Sequence, residues 1–168
     1  MNTECKPKKE SKLDIDNNYD LRLVRTLNPA LRWVLALPIA FLAALVIQIT
    51  CGFFIKPMLS NFAEDGAVSV IVNSAFMLMK YCTFVVAAVA TSPVARSKKF
   101  TVSIVFAIIA SCLCAGSTVL ALSFGSSDNK TMMMATGTAA IAGALLAVWN
   151  VRNVTSIPAA EGNKKPEL

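Results

Sequence analysis

The sequence predicts an all-α integral membrane protein whose four transmembrane helices form an antiparallel up-down bundle with both termini cytoplasmic. Three observations predict it. Charge-free apolar runs cover Trp33 to Ile55, Phe100 to Ser127 and Thr131 to Val151, and a fourth run from Gly66 is broken only by Lys80. Each is long enough to span, because a helix rises 1.5 Å per residue and a bilayer core takes about 20 residues to cross. The composition, 55% hydrophobic and 15% charged, departs from that of soluble domains. Finally, thirteen basic residues flank the runs on one side (Lys6, Lys8, Lys9, Lys12, Arg22, Arg25, Arg32, Arg96, Lys98, Lys99, Arg152, Lys164 and Lys165), against Lys56 and Lys130 on the other. Basic residues collect on the cytoplasmic side, which fixes the orientation.

Residues 1–28 form a polar cytoplasmic tail. Met1 to Asn18 carries too little apolar surface to fold alone. From Asp20, Leu21, Leu23, Val24 and Leu27 interleave with Arg22 and Arg25, as in a short segment lying at the inner interface. Residues 29–151 form the membrane domain, with spans of about 32–54, 67–91, 100–122 and 132–150. Asn28 and Pro29 are a good helix start, as cap and first helical residue. Pro38 introduces a mild kink into the first span, Trp33 sits at the inner interface, and Lys56 with Pro57 ends the helix. Ser60, Asn61 or Asp65 caps the second helix, which stops before Pro93 because the residue ahead of a proline resists helical geometry.

Ser92 to Lys99 is a tight basic hairpin whose Arg96, Lys98 and Lys99 suit anionic lipid headgroups. Gly125 terminates the third span, and a short polar turn containing the sequon Asn129-Lys130-Thr131 leads into the fourth. Residues 152–168 form a flexible cytoplasmic tail.

Small residues recur every four positions in the last two spans, as Ser103, Ala107, Ser111 and Ala115, and as Ala135, Ala139, Gly143 and Ala147. Helices in lipid associate by close packing, so these stripes are the expected contact faces, within the bundle or towards a partner. Counted inward from the outer ends, Gln48, Asn73, Ser117, Thr118 and Thr138 lie about six residues deep and form a candidate polar layer.

Lys80 lies deeper and shares a helical face with Asn73. About eleven residues, near 16 Å, separate it from the inner end of its span, which is long for a lysine stem to snorkel. A charged lysine at this depth costs about 2.5–3.5 kcal/mol or more on insertion scales. No span contains Asp or Glu. The charge is therefore met by a carboxylate from another subunit, by a water-filled path or anionic ligand, or by tilting and snorkelling without function.

The chain has no histidine, so a metal site, a cofactor and a catalytic base are not expected. Four of the five cysteines lie in or at the ends of spans and form no disulfide framework. The net charge of +6 reflects topology and does not point to nucleic acid. The expected function is a non-catalytic membrane component: an accessory, assembly or regulatory subunit that contacts another membrane protein, or itself, through Lys80 and the small-residue faces. The alternative is a small oligomeric transporter or channel for an anionic or polar solute. Size and short loops suggest a bacterial inner membrane.

Overall fold

A computed structural model describes residues 19–21, 24, 26–62, 66–124 and 130–156. The expectations for residues 1–18, the acidic helix cap at Asp65, the Gly125 terminator, the sequon's Asn129 and the tail from 157 lie outside these. Every long element is a helix: α1 (Pro29–Leu59), α2 (Ala67–Thr91), α3 (Lys99–Phe124), entered through a 3₁₀ turn (Arg96–Lys98), and α4 (Lys130–Ser156). All four are long and apolar enough to cross a membrane.

The helix boundaries follow local chemistry. Asn28 caps α1, its side-chain oxygen accepting from the Ala30 amide at 3.2 Å, with Pro29 in the first turn. The expected end at Lys56 and Pro57 is corrected, because α1 continues to Leu59 with Pro57 inside it. A proline this close to a helix end removes one hydrogen bond, and the Ser60 hydroxyl closes the terminus by donating to the Pro57 carbonyl at 2.8 Å. Helix α2 keeps its expected bounds. Gly66 occupies its N-cap without a side-chain cap bond, in place of Ser60 or Asn61. At the other end, extended Ser92 precedes Pro93. Helix α4 runs through Ser156, so Arg152 to Ser156 belong to the helix and not to a tail.

The start of α1, the end of α2, the start of α3 and the end of α4 meet at one end of the bundle. Arg32 reaches the Thr91 and Ser92 carbonyls there, and Arg96 donates to the Val154 carbonyl at 2.7 Å. The core is concentrated towards this end, with Ala36, Ala40 and Ala44 of α1, Phe84, Val85, Ala88, Val89 and Ala90 of α2, Phe106, Ala107 and Ala110 of α3 and Ala144, Ala147 and Val151 of α4 supplying most of it. We call it the closed end. Small side chains permit the close approach, most of all at Gly143, which lies against the Leu78 backbone.

The expected stripes are buried in part. Ser103, Ala107, Gly143 and Ala147 are buried, Ser111, Ala135 and Ala139 are half-buried, and Ala115 is exposed. On α3 the buried line instead passes through Ala110 and Cys114. A third stripe, on α1, runs Arg32, Ala36, Ala40, Ala44, Gln48 at four-residue spacing, and its three alanines are buried.

Candidate functional site

The upper end of that α1 stripe opens into a groove of about 420 Å³ between α1, α2 and α3. Leu42, Leu45 and Gln48 form one wall, Ala110 and Leu113 the other, and Lys80, Tyr81 and Phe84 the floor. Phe84 is buried and braced by Phe41 in an edge-to-face contact with ring centroids 5.1 Å apart. The rim is open, since Leu42, Leu45 and Leu113 remain about half exposed or more.

Lys80 is the charge in this apolar setting, and its amine donates to the side-chain oxygen of Gln48. The geometry follows from helix direction. Side chains lean towards the start of their helix, so Lys80 extends away from the closed end and meets Gln48, which stands about 24 Å along α1 from Arg32. Lys80 thus has a hydrogen-bond acceptor within the chain, and it is a neutral amide. Asp20 is the one acidic residue among the described residues, and it is committed elsewhere.

Of the expected polar layer, Gln48 alone makes a cross-helix hydrogen bond among those resolved here. Asn73 donates to the Ser69 carbonyl at 2.9 Å, and Ser117 and Thr118 both donate to the Cys114 carbonyl. Thr138 donates to the Ala135 carbonyl at 2.9 Å. Each of these bonds returns to its own helix, as hydroxyls and amides readily do where water is scarce. The layer expected across the bundle is therefore not joined by these bonds.

A second charged site, unanticipated from the sequence, closes the other end. Asp20 Oδ1 accepts from Arg32 Nη2 at 2.9 Å and from Lys99 Nζ at 2.6 Å. Lys99 Nζ also donates to the Val89 and Ser92 carbonyls at 3.0 Å each, while Arg32 Nε donates to the Thr91 carbonyl at 3.1 Å. The Leu21 amide donates to the Ala90 carbonyl at 2.9 Å. These donors satisfy the last carbonyls of α2, which have no partner within the helix, and place two cations at its negative end.

Lys99 is 0% exposed. With Asp20 docked, its amine meets that carboxylate and two carbonyls in place of the expected lipid headgroup. Lys98 is exposed and Arg96 half-buried. Of the segment expected at the interface, Tyr19 and Val24 are buried and Leu21 packs on the core. Tyr19 adopts the left-handed backbone (φ 61°), an unfavourable state for an aromatic residue that its burial offsets. Burial, and secondarily the nearby Cys82, pushes its phenol above the ordinary tyrosine range.

The α1 stripe was readable as a four-residue period ending in Arg32 and Gln48. Nothing local in the sequence marks Asp20 as the partner of Lys99, 79 residues away. No protein-family model, curated protein or solved structure matches the chain.

Proposed function

We propose that the chain is a non-catalytic component of a bacterial inner membrane, an antiparallel four-helix bundle with both termini cytoplasmic, that docks another membrane protein in the Lys80 groove. The partner's contribution is a helix carrying a carboxylate at the depth of Lys80. One observation carries this reading: the Lys80 amine, in an apolar groove open at its rim, meets only a neutral amide among the bonds resolved. In lipid such a charge favours pairing with an acid from a neighbouring helix. A second copy of the chain offers no acid in its four helices, which favours a different protein over self-association. The transport alternative has less support, because the other polar residues of the expected layer bond within their own helices.

The test is purification from native membranes in a gentle detergent, followed by mass determination. A stable heteromer is expected, and Lys80→Leu should abolish it while leaving the purified bundle folded. Recovery of monomer alone at native expression, or a heteromer indifferent to Lys80→Leu, would count against the reading.

A further inference from the structure

The closed end has the makings of a ligand site that is already filled. Arg32 and Lys99 converge on a single carboxylate oxygen, with their side chains 8% and 0% exposed. Two cations against one carboxylate leave a positive charge in excess, and no other acid exists among the described residues to balance it. The carboxylate does not belong to the bundle. It is carried by the arm before α1, which holds on through the Leu21 amide and the buried Tyr19 ring.

The two cations, in contrast, are anchored to the bundle independently of Asp20. Arg32 is tied to the Thr91 and Ser92 carbonyls, and Lys99 to those of Val89 and Ser92. They would keep their positions if the arm left. A fixed guanidinium beside a fixed ammonium suits an anion with several acceptor oxygens and more charge than a carboxylate. A phosphate has both.

We propose that Arg32 and Lys99 form a binding site for a phosphate-bearing anion, that Asp20 occupies it in the docked arm, and that phosphate competes with Asp20 and lifts the arm from the bundle. Asp20 acts as a tethered stand-in for the ligand. The phosphate is either a lipid headgroup or a free ion. The lipid source rests on the membrane orientation proposed above, which sets the closed end at the cytoplasmic headgroups. The free-ion source does not, and neither depends on a partner at Lys80. Because competition is reciprocal, the ligand weakens arm docking by the factor by which the arm weakens ligand binding.

Hydrogen exchange at the Leu21 amide reads arm docking directly. The full chain is placed in phosphatidylcholine nanodiscs, then in nanodiscs doped with phosphatidic acid, and separately in inorganic phosphate at matched ionic strength. Exchange should rise by about 5- to 150-fold with one phosphate source. Response to the doped discs alone identifies a lipid site, and response to the free ion alone a soluble ligand. Arg32→Gln should abolish the response, and Asp20→Asn should exchange fast without any anion. Asp20→Glu, which keeps the charge, should still respond if Asp20→Asn does not fold. Exchange in the wild-type chain that neither source changes, or a response that survives Arg32→Gln, overturns the proposal and leaves the cluster a purely structural tie.

Discussion

Gly143 of α4 lies against the backbone of Leu78 in α2, so closely that a Cβ at 143 would come within 2.8 Å of the Leu78 carbonyl carbon and 2.9 Å of its Cα. The obstacle is main chain and cannot rotate away. Gly143→Ala must therefore push α2 and α4 apart, at a cost of about 1–3 kcal/mol, the range for overpacking. Thermal unfolding in detergent should show a lowered midpoint. By contrast, Gly116→Ala, with nothing within 4 Å of its Cβ, should unfold at or above the wild-type temperature.

Lys80 and Gln48 make opposite predictions for stability. Gln48→Leu removes the acceptor of the Lys80 amine and should lower stability by about 0.6 kcal/mol, the average for cross-helix hydrogen bonds in membranes, and by no more than about 1.7 kcal/mol. Lys80→Leu removes the charge itself, and the bundle should become as stable as wild type or more so, while capture of the partner fails. Unfolding midpoints for the two single variants and the double variant separate the bond from the charge.

Removing Asp20 and removing Lys99 should not cost the same. Asp20→Ala leaves two cations in a buried site without their carboxylate, and the loss of one partner from a buried ion cluster costs about 3–5 kcal/mol. Lys99→Met leaves one carboxylate with one guanidinium, a balanced pair, and should cost less despite the lost bonds to the Val89 and Ser92 carbonyls. Equal losses would mean that the hydrogen bonds to the end of α2 outweigh charge balance.

Tyr19 gives the closed end an alkaline limit. Its phenol titrates above the unfolded value because burial, and then Cys82, disfavours the phenolate. The folded state therefore holds the proton more tightly than the unfolded state. Its contribution is fully present below an unfolded pKa of about 10 and is lost as pH rises through the folded value. Arm docking followed through hydrogen exchange should weaken above about pH 10, and Tyr19→Phe should flatten that dependence.

The apolar runs and the proline after α2 made the four helices and the bounds of α2 legible, because each signal is local. Helices α1 and α4 overran their expected ends, since helix propagates into flanking residues that a hydropathy window excludes. That overrun explains why the contact between Lys80 and Gln48 was not foreseen. Counted from an end near Phe54, Gln48 belongs in the layer of Asn73. Counted from the observed end at Leu59, it lies some five residues deeper, level with the outward-leaning lysine. The burial of Lys99 was not foreseen for a different reason. Loop charges predict orientation in the aggregate, yet they are silent about which single side chain turns inward to a distant carboxylate.

The separation between Asp20 and Lys99 also sets an order of events during synthesis. Arg32 follows Asp20 within twelve residues, whereas Lys99 emerges 79 residues later. At ribosomal rates of about 5–20 residues per second that is a delay of roughly 4–16 s. Once Arg32 is made the arm can pair with it but not complete its cluster, so the first two helices are made before the N-terminal seal can close.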